Sequence, residues 1–132
     1  MSINRKTRQY SDLNLLFTAH PATADVTKKT DDEAIKASLK NLIMTRNYER
    51  PFQPEIGCQI HSLLFENFSP ITQQIMKKTI VDVVEKYEPR VTLLNVDIKS
   101  LVDSNEIVAE ITFRTNNTER PVTLRTVLDR VR

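Results

Sequence analysis

The sequence predicts an α+β fold in which N-terminal helices pack on a C-terminal antiparallel sheet. Apolar residues recur at helical spacing before Pro89, whereas after it they alternate with polar residues. Two clusters of turn-forming residues divide the alternating part into three strands. The length of 132 residues suits a single domain. We therefore expect one α+β domain over residues 31–132, preceded by an N-terminal arm and loop over residues 1–30.

The first thirty residues carry weaker structural signals. A basic start precedes the apolar piece LNLLF at residues 13–17, and a polar run follows it. This pattern is typical of a mobile arm, a short extended segment and a loop.

Two longer helices are predicted, with a short helical piece between them. Acidic residues open the first helix, over residues 31–45, where they suit the positive end of the helix dipole. Ser69 and Pro70 are typical of a helix start, and they open a second helix that runs to Tyr87. The apolar stripe of the first helix is Ile35, Leu39, Leu42 and Ile43, and the expected buried stripe of the second helix is Met76, Ile80, Val83, Val84 and Tyr87. The short piece at 58–67 carries Ile60, Leu63, Leu64 and Phe65 at helical spacing.

A structured loop is expected over residues 46–57. Pro51 and Pro54 forbid a continuous helix there. Gly57 is the only glycine in the chain, which indicates a backbone position without room for a side chain.

Three strands follow Pro89. In residues 106–114, Ile107, Ala109, Ile111 and Phe113 face one way and Glu110, Thr112 and Arg114 the other, which predicts a half-buried strand. Residues 91–101 and 121–131 are its expected partners. The turns between them are expected at Asp103, Ser104 and Asn105 and at Asn116, Asn117 and Thr118.

Composition excludes several classes of function. The formal net charge is only +2, without a long run of like charges, so nucleic acid is not an expected partner. No apolar run could cross a bilayer, and the single Cys58 suits synthesis in a reducing cytoplasm. One glycine in the whole chain argues against a phosphate-binding loop. We expect no cofactor and no membrane association.

The stretch YEPR joins the second helix to the first strand. Pro89 disfavours helical backbone at Glu88, and residues two apart on extended chain project their side chains to the same side. Glu88 and Arg90 could therefore face a partner together, because arginine offers a planar fork of donors. The other interpretation, a solvated helix end with a weak surface pair, stays open.

Other candidate sites have weaker support. Cys58 and His61 lie three residues apart and could bind a metal together with His20, yet a fourth ligand is missing, so we predict no metal site. A glycoside hydrolase needs two carboxylates across a cleft, and nothing in the sequence pairs the clustered acids Glu49, Glu55, Glu66 and Glu88. Nucleic-acid binding would require aromatic residues interleaved with the terminal basic residues, and the sequence does not have this pattern. These basic residues are Arg5, Lys6, Arg8, Arg125, Arg130 and Arg132.

The last predicted strand is expected at the edge of the sheet. Such an edge can accept a strand from another chain. A plain edge, shielded by Arg125, Asp129 and Arg130, is the equally weighted alternative.

Four segments, taken in order, resemble the baseplate wedge and sheath-initiator family of contractile tails: AIKASLKNLIMT, ERPFQPEIG, LLFEN and YEPR. The family pattern is a helix ending in threonine, a loop with Glu-Arg-Pro and a later Pro-x-x-Gly, a Leu-Phe-Glu helix, and Glu-Pro-Arg before the sheet. The resemblance begins near Ala34 and continues to the end of the sheet, with a T-even phage as the expected source. Family members often carry glycine before Glu-Arg-Pro, where this chain has Asn47 and Tyr48, so a different turn is expected there.

The resemblance implies a structural protein of the inner baseplate, made in the host cytoplasm and found in the virion tail. Its implied partners are other baseplate wedge proteins, the tail sheath subunit and hub proteins near the tail tube. It also implies that the sheet starts sheath polymerisation by strand addition. A muralytic, lysozyme-like cell-wall hydrolase of the tail is the alternative, although we expect no enzyme.

The resemblance also assigns roles to particular residues. The Glu-Pro-Arg motif, implicated in holding the wedge core bundle, maps onto Glu88, Pro89 and Arg90. The loop motif maps onto Glu49, Arg50, Pro51, Pro54 and Gly57. For strand addition by the sheath, the expected residues of the last strand are Val122, Leu124 and Val127.

Overall fold

A computed structural model describes residues 10–26, 28–101, 103 and 105–129. Helices cover one face of a three-stranded antiparallel sheet, which confirms the predicted α+β class. The elements in chain order are β1 (Ser11–Leu13), β2 (Lys28–Thr30), α1 (Asp31–Met44), α2 (Ile60–Leu63), α3 (Pro70–Tyr87), β3 (Val91–Leu101), β4 (Glu106–Thr115) and β5 (Thr118–Asp129). Some residues named in the sequence analysis lie outside the described residues: Arg5, Lys6, Arg8, Ser104, Arg130 and Arg132. The strand expected at 121–131 is therefore described only as far as Asp129.

The two longer helices form as predicted. Ser69 caps α3, because its hydroxyl oxygen accepts a hydrogen bond from the backbone N–H of Thr72 at 3.2 Å, and Pro70 opens the first turn. The stripe that α1 buries against the core consists of Ala34, Ile35, Leu39 and Ile43, and that of α3 is centred on Met76, Ile80 and Val84. Leu42, Val83 and Tyr87 lie at the margins of these stripes and are half-buried.

The short helical piece is smaller than predicted. Helix α2 has one turn and ends at Leu63, because the chain must turn toward the Ser69 cap of α3. Leu64 remains buried, whereas the side chain of Phe65 is 69% exposed. The four apolar residues at helical spacing therefore do not all face the core.

The sheet has the predicted pattern with β4 in its centre. The four predicted apolar residues of β4 are all buried under the helices. A β-bulge at Leu94 interrupts the pairing of β3 with β4. Thr118 is the first residue of β5 rather than part of the turn, because Asn116 and Asn117 alone close the second hairpin.

The segment before α1 is less extended than predicted. Of the apolar piece at residues 13–17, only Leu13 lies in a strand, β1, which pairs antiparallel with β2. The N–H of Phe17 donates to the carbonyl of Asn14 at 2.9 Å, so the remainder of LNLLF is a turn. Within the described part of the chain, no helix is both long and apolar enough to span a bilayer.

Replacement of Gly57 by alanine tests the close backbone contact behind the loop at 46–57. Gly57 has φ +149°, and an added Cβ would lie 2.7 Å from the carbonyl carbon of Arg46. Both the conformation and the clash penalise a side chain, so we expect Gly57→Ala to lower the free energy of unfolding by about 2–3 kcal/mol, as measured by urea denaturation. A loss below about 0.5 kcal/mol would contradict the close contact.

Candidate docking site

The joint between α3 and β3 is built by Pro89. Helix α3 ends at Tyr87, and Glu88 leaves helical geometry with φ −127° and ψ 73°, as expected before proline. The N–H of Glu88 still donates to the carbonyl of Val84 at 2.8 Å, so the helix end is satisfied. Pro89 and Arg90 then form a turn into β3.

The side chains of Glu88 and Arg90 bind each other across this turn. Arg90 Nη2 donates to Glu88 Oε2 at 2.8 Å, and Arg90 Nε donates to Glu88 Oε1, which makes a two-point fork. Ser38 on α1 donates a third hydrogen bond, to Glu88 Oε2 at 2.6 Å. Because Glu88 is only 4% exposed, this is not a solvated surface pair.

The electrostatics keep this pair charged. Burial raises the pKa of the Glu88 carboxyl, but hydrogen bonds from Arg90 and Ser38, together with the Arg90 charge, lower that pKa below its ordinary value of 4.5. The hydrogen bond to Glu88 and its charge raise the pKa of Arg90. Breaking one side of such a pair leaves a poorly compensated buried charge, which is strongly destabilising.

Arg90 also connects the joint to two more segments. Its guanidinium lies over the ring of Tyr10 at 5.1 Å and remains one-third exposed. The backbone N–H of Tyr10 in turn donates to the Asp31 carboxylate, at the start of α1. The carbonyl of Arg90 accepts a hydrogen bond from the N–H of Asn116, in the β4–β5 turn, at 3.1 Å. The joint therefore ties both long helices, the sheet and the N-terminal segment together.

The loop at 46–57 is braced from several sides. The N–H of Tyr48 donates to the carbonyl of Pro54 at 2.9 Å, and the Glu49 carboxylate accepts from the N–H of Arg46 at 2.9 Å. The Tyr87 hydroxyl, in the last turn of α3, donates to the carbonyl of Glu55 at 2.7 Å. Tyr48 itself has φ +67°, a conformation that favours glycine, at one of the positions where the family pattern differs from this chain.

An open cleft of about 500 Å³ lies between α1, this loop and the end of α3. Glu49, Arg50 and Pro51 line one side, whereas Glu88 and Ser38 line another. The Glu-Arg-Pro and Glu-Pro-Arg motifs, distant in sequence, therefore border one concave surface. Pro54 lies on the exposed part of the same loop, and Gly57 is buried behind it.

The predicted strand-addition residues do not share one face of β5. Leu124 is buried and Val122 half-buried against the core, whereas Val127 lies on the opposite face and is 42% exposed. Within the described residues, β5 pairs with β4 alone, so its other backbone edge is unpaired there. The predicted edge position of β5 is confirmed.

The residues considered for a metal site have other roles in the fold. Cys58 is buried, and burial raises the pKa of its thiol. His61 places Nε2 3.0 Å from the carbonyl oxygen of Met44. Among the described residues, no group of three or more His, Cys, Asp or Glu side chains is arranged to hold a metal ion.

Three residues of the joint were not among the predicted site residues: Ser38, Tyr10 and Asn116. A serine inside a helix is a weak helix former, so Ser38 had a detectable signal. Tyr10 and Asn116 had none, because their contacts with Arg90 cross between elements far apart in sequence.

Comparison with known proteins identifies relatives among contractile tail systems. The family model described as baseplate wedge protein gp25 matches residues 29–120. Baseplate wedge protein gp25 of Enterobacteria phage T4 is 38% identical over 89 residues, 67% of each chain. Similar solved structures include the anti-feeding prophage baseplate, with a TM-score of 0.65, 23% identity, and coverage of 90% of this chain and 84% of that one. A putative tail lysozyme from Geobacter sulfurreducens has a TM-score of 0.63, 24% identity, and coverage of 74% and 91%.

The pH dependence of stability tests the charged state of Glu88. Because folding lowers the pKa of this carboxyl, its contribution is present above the unfolded-state pKa and is lost as pH falls through the folded-state pKa. At pH 7 we expect Glu88→Gln to cost about 2–3 kcal/mol of unfolding free energy. Below pH 4.5 the difference between the two proteins should narrow progressively. Urea denaturation from pH 7 to pH 3 measures this, and a difference independent of pH would contradict it.

Proposed function

Because the chain belongs to the family of baseplate wedge protein gp25, we propose that it joins wedge components and starts sheath polymerisation by strand addition. The protein is a structural component of the tail baseplate in contractile tail systems. Its proposed partners are other wedge proteins, the tail sheath subunit and hub proteins near the tail tube.

The joining role is supported by the single cleft that both sequence motifs border. Arg50 and Pro51 on one side and the Glu88–Arg90 joint on the other form a concave, partly charged surface. Arg90 keeps one-third of its side chain accessible while its fork holds Glu88, so the joint can stabilise the fold and contact a partner at once. We assign the wedge contact to Glu88, Pro89 and Arg90, with the loop motif beside them.

The sheath role is supported by the two edges of the sheet, which differ in how well they can accept a strand. On β3, the bulge at Leu94 and the hydrogen bond from Gln73 to the carbonyl of Ile98, at 2.6 Å, interfere with regular pairing. A register shift and Pro121 interrupt the start of β5, but from Val122 to Asp129 its pairing is regular, with Arg125 and Val127 on the exposed face. Main-chain hydrogen bonds along this edge would provide affinity, and the alternating side chains would set the register.

The electrostatics of Glu88 fit a structural role better than the role of a catalytic acid in a hydrolase. A general acid in glycoside hydrolysis needs a carboxyl whose pKa is raised, whereas that of Glu88 is lowered and both its oxygens are engaged. Likeness to a putative tail lysozyme at 24% identity concerns the fold alone.

A control variant with a similar loss of stability can separate the effect of Arg90 on wedge joining from its effect on folding. Arg90→Ala removes the exposed guanidinium and costs about 3 kcal/mol by leaving Glu88 poorly paired. Val84→Ala, in the core of α3, costs about 2–3 kcal/mol without changing the cleft. At a temperature where both variants are folded, we expect only Arg90→Ala to fail to join purified wedge proteins in sedimentation and electron microscopy. Equal joining by both variants would refute a docking role for Arg90.

Photo-crosslinking can identify the edge that receives a sheath strand. A photoreactive amino acid replaces Arg125 on β5, Lys99 on β3 or, as a control, Lys78 on α3. Strand addition at β5 predicts crosslinks to the sheath subunit from position 125 and none from position 78. Crosslinks from position 99 instead would show that the β3 edge receives the sheath strand. No crosslink from either strand would contradict strand addition.

A further inference from the structure

The segment RNYERPF, residues 46–52, carries a large exposed side chain at every second position, with Glu49 and Pro51 also exposed between them. We name this set, Arg46, Tyr48, Arg50 and Phe52, the aromatic–arginine crest. Tyr48 is 84% exposed and Phe52 is fully exposed, and both arginines are exposed as well. Exposed aromatic rings next to arginines match the composition of residues that dominate binding energy at protein interfaces.

Both aromatic residues of the crest adopt disfavoured backbone conformations. Tyr48 and Phe52 each have φ +67°, in the left-handed region where a side chain with a Cβ atom is penalised. Glycine would adopt this conformation without strain. Since neither ring is buried, packing within the chain does not explain why large side chains occupy these positions. Backbone outliers of this kind cluster at active sites, ligand clamps and switch regions.

The crest is held rigidly. The bond from Tyr48 to Pro54 closes the loop, and the Glu49 carboxylate fixes the N–H of Arg46. Gly57 allows the loop to lie against the backbone of Arg46. A braced backbone loses little conformational entropy on binding, which favours affinity.

The crest separates two depressions. Arg50 borders the cleft next to the helix–sheet joint, whereas Arg46 and Tyr48 border a shallower groove together with Phe65 and His61. Within the described residues, neither Arg46 nor Arg50 forms an ion pair. Glu49 and Glu88 line the same cleft as Arg50, but Glu49 accepts from the backbone N–H of Arg46 and Glu88 is held by Arg90 and Ser38. A partner seated over the crest would therefore meet two guanidinium groups that no described carboxylate pairs.

We propose that the aromatic–arginine crest inserts into a concave apolar surface, rimmed by carboxylates, on another baseplate wedge protein. The Tyr48 and Phe52 rings fill the apolar part, and Arg46 and Arg50 pair with the acidic rim. This inference rests on the proposed wedge-joining function and adds the chemistry of the partner. The strain at the two aromatic positions is retained because the rings act in binding.

Glycine substitutions in the crest separate binding from folding. Tyr48→Gly and Phe52→Gly remove the rings and suit the left-handed backbone, so we expect melting temperatures within about 3 °C of wild type. Purified wedge proteins of the same tail are titrated one at a time by calorimetry. For the one that binds, we expect each glycine variant to raise Kd about tenfold or more. Leu16→Ala, which removes an 80% exposed apolar side chain elsewhere, should leave Kd unchanged.

A second pair of variants tests the acidic rim. The double variant Arg46→Ala, Arg50→Ala should raise Kd and reduce the dependence of Kd on salt. The control Lys40→Ala, Lys78→Ala removes the same charge from α1 and α3, and it should change neither Kd nor its dependence on salt. Wild-type Kd values in both glycine variants would refute the binding role of the crest but not the proposed wedge-joining function. If wild-type protein binds none of the wedge proteins, both the crest and the joining function are refuted.

Discussion

The arrangement of this fold depends on one buried ion pair, formed by Glu88 and Arg90 around Pro89. It lies where the helical layer becomes the sheet, and a chain that changes layers must satisfy its polar groups there. The fork of Arg90 satisfies both oxygens of a carboxylate that is almost inaccessible to water, and Ser38 connects the same carboxylate to α1. An apolar contact at this position would lack that directional geometry.

The position of the docking surfaces follows from this constraint. With α1 and α3 held together at the joint, the loop at 46–57 is braced between them through the Tyr87 hydroxyl and the close backbone contact of Gly57. The cleft and the crest therefore belong to a rigid part of the chain. The edge of β5 is a separate surface. The chain therefore has two separate surfaces, as the proposed contacts with wedge and sheath proteins require.

Much of the fold was predictable because its rules are local. Ser69 and Pro70 start a helix, Pro89 ends it, and the alternation in β4 identifies its buried face. The site was only partly predictable. The Glu-Pro-Arg and Glu-Arg-Pro motifs could be singled out, but their shared cleft depends on how α1 packs against α3. Sequence spacing likewise could not show that Glu88 would be buried between Arg90 and Ser38, or that Phe65 would be exposed.

A double-mutant cycle between Glu88 and Arg90 tests the central constraint most directly. The free energy of unfolding is measured in urea at pH 7 for wild type, Glu88→Gln, Arg90→Gln and the double variant. The account predicts strong coupling, with the double variant more stable than the sum of the single losses implies by about 2–3 kcal/mol. Additive losses, within about 0.5 kcal/mol, would mean that the pair does not hold the joint, and the account would be wrong.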